Sequence, residues 1–191
     1  MLSPAPGRTQ AVLNSPKTDD VETLRRRVAD LEDALSESKI RLQAAIDEVP
    51  SLIFVRDRDG RYVVSNAEFA RLHGLEPKDV EGKTPYDLCP IDVADAFIAA
   101  DRRVMAAGTS NTWQEDITYK DGAVRTVVVT KFPVPGPGGE IVGVGVVSTD
   151  VTDLDHQSGT TEPLAGGFVH RFNHLLAAVI CTIVARRLEN R

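Results

Sequence analysis

Apolar residues recur at alternating steps of three and four along 20–48, and charged residues lie between them. So narrow an apolar stripe gains little when a helix folds alone, whereas two such helices bury it between them. The pattern therefore predicts a helix over 20–48 that forms a parallel coiled coil in a homodimer; a lone helix capping the following domain is the alternative. Ser38 interrupts the apolar series. The expected dimer seam contains Leu24, Val28, Leu31, Leu35 and Leu42.

Strands are predicted directly after this helix. Pro50 ends the helix because proline lacks the backbone N–H that a helix interior needs. The runs at 52–55 and 62–64 are short, apolar and rich in residues that favour strands. Between them, RDRDG carries an Asp-Gly pair, which is typical of a hairpin turn. Two antiparallel strands are therefore expected.

Short helical segments are predicted next. Ser65 or Asn66 can cap a helix over 67–73, and Gly74 can stop it. Pro77, followed by Lys78, is suited to open a further turn. The stretch EGKTPYDL is expected to be a loop.

A longer helix and three strands are predicted after that loop. The helical pattern begins at Asp92 and is closed by Gly108. Strand-like runs follow at 112–119, 123–133 and 140–148, joined by the turn KDG and by the loop PGPGGE. The apolar residues that mark the helix are Val93, Ala96, Phe97, Ala100 and Val104.

The order of two strands, a helical crossover and three strands resembles a PAS (Per-Arnt-Sim) sensor domain over 49–153. The stretches GRYVVSNAEFARLHGL and GVGVVSTDVTD carry the resemblance. It implies an α+β fold, with a five-stranded antiparallel sheet, helices on one face, and flanking helices at both ends. It also implies that Asp150 and Thr152 form the signal-exit motif at the end of the last strand.

The resemblance further implies a small ligand, a cofactor or a dimer contact in the region between sheet and helices. Cys89 lies in DLCPID rather than in the Asn-Cys-Arg motif of the flavin-thiol branch. The crossover helix has no histidine for haem, and His73 is expected to be exposed or locally bonded. We therefore expect no cofactor. Trp113, Phe97 and Tyr62 are the candidates for a ligand pocket, although a single Trp is more often core or interface.

The end of the chain resembles a different module. After a polar linker at 154–163, GGFVHRFNHLLAAVI in the helix predicted over 164–191 is similar to the phosphoacceptor box of sensor histidine kinases, with His170 on the phosphorylated histidine. The acidic residue that follows this histidine in the family is Arg171 here, and the assisting position four residues on is His174. No phosphate-binding glycine motif occurs in the sequence. The resemblance therefore implies an incomplete, degenerate kinase-like helix.

Composition excludes several classes of protein. The chain has 191 residues, 42% of them hydrophobic and 26% charged, which suits one globular domain with appendages. Its net charge of -6 disfavours nucleic acid as a partner. Cys89 and Cys181 are too far apart in sequence to indicate a disulfide framework or a zinc site, so a reducing cytoplasm is expected. Residues 1–19 are expected to be disordered, and the longest apolar run, 175–185, is too short to insert in a membrane.

These observations predict a dimeric cytoplasmic PAS sensor or adaptor in two-component-type signalling. It would act through helix packing and docking onto a histidine kinase or another signalling protein, without catalysis of its own. Two alternatives stay open. One is a fragment or degenerate form of a sensor histidine kinase, in which His170 either accepts phosphate or packs. The other is a small-molecule-binding module.

Overall fold

The first helix extends from one compact unit of the chain into the next. The computed structural model describes residues 18–118, 122–153 and 164–188, and it divides the chain into units Met1–Arg41 and Leu42–Arg191. Helix α1 spans Thr18–Asp47, so the helix predicted over 20–48 is confirmed. The expected disordered segment and the expected linker lie almost entirely outside the described residues. Four of the five predicted seam residues are 44 to 63% exposed: Leu24, Val28, Leu31 and Leu35.

The second unit is built on a five-stranded antiparallel sheet. Its strands lie in the order β2-β1-β5-β4-β3, which confirms the predicted α+β fold. The RDRDG turn closes with a hydrogen bond from the Gly60 N–H to the Asp57 carbonyl at 3.1 Å, and Gly60 has a φ of 80°. The strands are β1 (Leu52–Asp57), β2 (Tyr62–Ser65), β3 (Asn111–Thr118), β4 (Val124–Pro135) and β5 (Ile141–Asp150).

Four helices between β2 and β3 form one layer of the domain. They are α2 (Ala67–Leu72), α3 (Pro77–Val80), α4 (Pro85–Leu88) and α5 (Ile91–Ala107). The stretch expected to be a loop therefore contains α4, because Thr84 and Asp87 form a capping box that starts a helical turn. Helix α5 ends at Gly108, whose φ of 65° is in the left-handed region. We call the sheet face that packs against α5 the inner face.

The last helix, α6 (Leu164–Leu188), packs on the opposite, outer face of the sheet. Successive strand residues point to opposite faces, so Ile53 and Val55 contribute to the outer core while Phe54 contributes to the inner one. Ile46 and Leu42 from the end of α1 also join the outer core. The exposed part of the predicted seam therefore ends at Leu35. The buried residues of α6 are Val169, Asn173, Ala177, Ile180 and Val184.

The side chain of Asn66 connects three of these elements. It is fully buried, and its Oδ1 accepts hydrogen bonds from the backbone N–H groups of Ile53 at 3.0 Å and Phe69 at 3.1 Å. Its Nδ2 donates to the carbonyls of Ile46 at 3.2 Å and Ser51 at 2.8 Å. One amide thus caps α2 and also binds the end of α1 to the start of β1. Of the two predicted caps, Asn66 is the one that forms.

We expect Asn66→Ala to lower the free energy of unfolding by about 3 kcal/mol, because it leaves several buried backbone groups without partners and removes a helix cap. Urea denaturation followed by far-UV circular dichroism measures the change. Asn111→Ala is the matched control, since Asn111 is exposed and its truncation should cost less than about 0.5 kcal/mol. Equal stability of the two variants would show that the Asn66 bonds add nothing.

Candidate functional site

Three charged side chains form a buried ionic cluster on the inner face. The Asp101 carboxylate on α5 lies between Arg56 on β1 and Lys131 on β4. Asp101 Oδ2 is 2.8 Å from Arg56 Nη2, and Asp101 Oδ1 is 2.7 Å from Lys131 Nζ. The three side chains are only 1 to 6% exposed. A helix and two strands that are not neighbours in the sheet are thus joined by one carboxylate.

The periodicity of the strands and the helix puts these charges together. Arg56 follows Phe54, and Lys131 follows Val129, by two residues on the inner face of their strands. On α5, Asp101 lies three residues before the buried Val104 and seven after the buried Ala94, so it is on the same helical face. The buried face of α5 therefore contains an acid. Three of the apolar residues that marked this helix in the sequence, Val93, Ala96 and Phe97, are instead exposed.

The cluster has an excess of positive charge. One carboxylate is paired with two cations. The free-energy cost of removing both cations from water is therefore only partly offset by their attraction to Asp101. Burial lowers the pKa of Lys131 from its ordinary value, and the neighbouring Asp101 carboxylate opposes that shift. Arg56 Nε has no hydrogen-bond partner among the described residues, and the Asp101 Oδ2 contact is an ion pair without hydrogen-bond alignment. The buried site therefore contains one donor, Arg56 Nε, and one acceptor, Asp101 Oδ2, that form no hydrogen bond with the described residues.

Aromatic rings surround the guanidinium of Arg56. It lies 4.9 Å from the ring centroid of Phe54, 5.3 Å from that of Tyr62 and 5.9 Å from that of Phe97. Such cation–π contacts stabilise a desolvated cation. The Tyr62 hydroxyl lies 3.4 Å from Arg56 Nη1, and burial raises the pKa of Tyr62 to about 12. Two of the predicted pocket residues, Tyr62 and Phe97, are thus brought together around a charge that sequence reasoning missed.

The third predicted pocket residue, Trp113, lies at a different place. It is half-buried and lines a cleft of about 440 Å³ between the C-terminal half of α5 and the start of β3. Lys131 also lines this cleft, so the buried cluster forms part of its wall. Arg103 on α5 lines the opposite, exposed side. The signal that could have indicated this site is the pair of charged residues at inner-face positions, Arg56 and Lys131.

The exit motif is bound to the neighbouring strand. Asp150 Oδ1 accepts hydrogen bonds from the Thr152 N–H at 2.9 Å and from the Thr152 hydroxyl at 2.6 Å. The Thr152 hydroxyl oxygen in turn accepts from the Thr126 N–H of β4 at 3.0 Å. The two residues that the sequence singled out are therefore in direct contact, and they hold the chain against β4 where it leaves the sheet.

On α6, His170 is exposed, whereas the nearby polar residue Asn173 is buried. The His170 ring is exposed and lies 4.5 Å, centroid to centroid, from that of His174. Asn173 is fully buried, donates to the Val128 carbonyl at 3.2 Å and accepts from the Thr149 hydroxyl at 2.8 Å. His170 therefore does not pack in the core, whereas Asn173 bonds this helix to β4 and β5.

An antiparallel sheet with a crossover helix over one face and terminal helices outside it is the architecture of a sensor domain. The chain belongs to the PAS family: the family model described as a PAS fold matches residues 46–156, more than half of the sequence. The PAS resemblance is thus confirmed, with the matched range close to the predicted one.

Two similar proteins are a diguanylate cyclase and a respiration control sensor. The chain is 30% identical over 114 residues to a diguanylate cyclase of Vibrio cholerae, which covers 59% of this chain and 36% of that protein. It is 25% identical over 112 residues to the aerobic respiration control sensor protein ArcB of Escherichia coli, covering 59% of this chain and 14% of ArcB. The chain therefore spans only a minor part of these relatives, and the shared part is the PAS region.

Solved structures agree in fold. The phage VqmA-DPO complex has a TM-score of 0.53 and 26% identity, with 68% of this chain and 59% of that chain covered. The Vibrio cholerae VqmA-ligand-DNA complex has a TM-score of 0.54 and 23% identity, with 69% and 57% covered.

Within the described residues, no helix combines the length and the apolar character that crossing a membrane requires.

We expect Asp101→Asn to lower the free energy of unfolding by about 3 to 5 kcal/mol, because two buried cations then lack their carboxylate. Lys131→Met should cost less, since one cation and one anion remain paired. Urea denaturation measures both. Asp95→Asn is the control on the same helix, because Asp95 is exposed and its amide can still accept from the Tyr86 hydroxyl. If Lys131→Met is as costly as Asp101→Asn, charge excess is not what determines the stability of this cluster.

Proposed function

We propose that this chain is a homodimeric cytoplasmic PAS sensor or adaptor of two-component-type signalling, which transmits a signal through helix packing and docking onto a partner protein. The observation that carries the proposal is the exposed apolar seam of α1. Leu24, Val28, Leu31 and Leu35 repeat at steps of four and three on a helix of 30 residues. A second copy of α1 buries this seam, because knobs of one helix fit the holes of the other.

Charges beside the seam support a parallel arrangement. With Val28 and Leu35 at position a and Leu31 at position d of the heptad, Arg27 occupies a g position and Glu32 the following e position. In a parallel dimer each g residue faces the next e residue of the other chain. Arg27 of one copy then faces Glu32 of the second, and Asp20 faces Arg25 in the same way. Both contacts pair opposite charges, and each occurs twice in the dimer.

We expect the double variant Leu31→Lys/Leu35→Lys to be monomeric, because it places four like charges in the seam of a dimer. Light scattering after size-exclusion chromatography gives the mass. The matched control is Ala29→Lys/Ser36→Lys, which adds the same charge at exposed positions outside the seam and should leave the dimer intact. A wild-type mass of one chain rules out the dimer, and a dimeric mass unchanged by the seam variant rules out this seam as its interface.

The charge contacts allow a sharper version of this experiment. Arg27→Glu alone and Glu32→Arg alone each turn two attractions into repulsions and should weaken the dimer about tenfold. The two changes together restore opposite charges, so the double variant should recover the affinity. Sedimentation over a range of protein concentrations measures the dissociation constants. Weakening that is additive in the double variant would indicate that the helices are not parallel in this register.

The bonds at both ends of the domain support transmission through it. Asn66 binds the end of α1 to β1, and Asp150 with Thr152 binds the chain exit to β4. A change in the position of α5 relative to the sheet reaches both strands, because Asp101 contacts Arg56 on β1 and Lys131 on β4. The output is a change in how helices pack, which is a two-state process at an interface. The net charge of -6 argues against nucleic acid as the partner.

Small-molecule binding is a second candidate function. The observation that favours it is the cleft beside Trp113, with a buried ammonium group in its wall. The phage VqmA structure, similar to this chain at 26% identity, is a complex with DPO, which supports ligand binding in this architecture. A saturable change in the fluorescence of Trp113, the only tryptophan of the chain, tests this function directly.

A kinase-derived role is a third candidate, and the exposure of His170 on α6 favours it. If His170 accepts phosphate, histidine kinases of the same cell or phosphoramidate should label the wild-type chain. Labelling should be lost in His170→Ala and retained in His174→Ala, whose histidine is the ring neighbour of His170. Absence of label with every donor would leave α6 as a packing and docking helix.

A further inference from the structure

The cleft beside Trp113 is positively charged in a chain that is negative as a whole. The described residues that line it include two cations, Arg103 and Lys131, and no carboxylate; Asp101, which pairs with Lys131, is shared with Arg56 and does not line the cleft. The net charge of the chain is -6, so this is a local reversal of sign. A concave site lined by one sign of charge favours a ligand of the opposite sign. The lining therefore indicates an anion.

Lys131 has donors to offer to such a ligand. An ammonium group carries three N–H donors. Asp101 Oδ1, at 2.7 Å, is the one hydrogen-bond acceptor for Lys131 Nζ in the part of the chain that the structure describes. The side chain is 6% exposed, and it lines the cleft. Because a buried charge with unused donors is costly, an acceptor that enters the cleft gains a charge-assisted hydrogen bond.

The rest of the lining suits a flat organic body. The half-buried indole of Trp113 and the aliphatic side chains of Val104 and Ala107 are the apolar surfaces nearest the two cations in the lining. Aromatic rings stack on an indole with a gain beyond simple area burial. Ser110 and Asn111 add polar groups at the exposed rim. A small inorganic anion would leave the apolar surface uncovered.

We propose that this cleft binds a small organic carboxylate with a flat apolar body, whose carboxylate pairs with Lys131 and Arg103 while the body lies against Trp113. The proposal rests on the small-molecule function above and narrows its ligand class. The carboxylate competes with Asp101 for the Lys131 ammonium. Ligand binding therefore weakens the contact between α5 and β4, the strand that also bonds to Thr152 at the exit.

Paired probes of equal shape and different charge test the ligand class. Phenylacetate is titrated against the 191-residue chain, and its neutral counterpart phenylacetamide is titrated in parallel, with Trp113 emission as the readout. We expect phenylacetate to bind at least about tenfold more tightly, because only its carboxylate forms charge-assisted hydrogen bonds with both cations. Calorimetry repeats the measurement without dependence on fluorescence.

Adjacent arginines provide the matched variants. Arg103 lines this cleft, whereas Arg102 is exposed on the same helix and lines a separate cleft with Gly60 and Met105. Arg103→Gln should weaken phenylacetate binding about tenfold and leave phenylacetamide unaffected, while Arg102→Gln should change neither. Lys131→Met should remove the preference for the carboxylate, with circular dichroism confirming the fold.

The outcomes separate the ligand class from the function it rests on. Equal binding of phenylacetate and phenylacetamide overturns the carboxylate proposal and leaves a small-molecule site. Equal weakening by Arg102→Gln and Arg103→Gln also overturns it, since the effect would then come from net charge alone. Absence of binding by both probes, at concentrations up to the millimolar range and by both methods, overturns the proposal and counts against the small-molecule function as well.

Discussion

A single carboxylate, Asp101, determines how the helical layer lies on the sheet. It is the anionic partner of two buried cations from different strands, and both contacts are shorter than 3 Å. A cluster of this kind is costly to break at its carboxylate, because loss of Asp101 leaves two uncompensated cations in a medium of low dielectric constant. It also cannot relax by small displacements, since Oδ1 and Oδ2 are each committed to a different strand. The position of α5, and with it the shape of the Trp113 cleft, depends on that arrangement.

Two other polar side chains, Asn66 and Thr152, also join different elements of the domain. Asn66 binds five backbone groups from α1, β1, α2 and the turn between α1 and β1, and Thr152 connects the exit of β5 to β4. These contacts occur where the chain enters and leaves the sheet. The apolar cores on the two faces supply most of the driving force for folding, but they are not directional. Directional bonds at the entry and exit points are what make the positions of the flanking helices depend on the sheet.

Much of the fold could be predicted from the sequence because its elements carry local signals. The Asp-Gly turn before Arg61, the asparagine cap at position 66 and the glycine at position 108 each require a specific backbone conformation that few other residues provide. Helix α4 was missed because its capping box follows a glycine and contains a proline, both of which usually indicate a loop.

The candidate site was harder to predict, for a physical reason. Pattern analysis assigns apolar residues to the interior and charged residues to the surface, so it placed Phe97 rather than Asp101 on the important face of α5. Arg56, Asp101 and Lys131 are separated by 45 and 30 residues, and only the strand register brings them together. Tyr62, Phe97 and Trp113 were identified because aromatic residues are prominent in sequence; the charges between them were not. The exit pair was identified through family resemblance; its two residues are hydrogen-bonded to each other, and their role in signal exit stays a prediction.

The single buried amide of α6 restricts the ways in which that helix can move. Its other core contacts are made by apolar side chains and by Cys181, whose thiol donates to the Pro133 carbonyl at 3.5 Å. A shift along the sheet by one turn would place Val169 or Ala177 opposite the Val128 carbonyl and would leave both that carbonyl and the Asn173 amide unpaired. A gradual translation is therefore unfavourable at every intermediate step. The hydrogen bonds of Asn173 therefore select one register of α6 along the sheet.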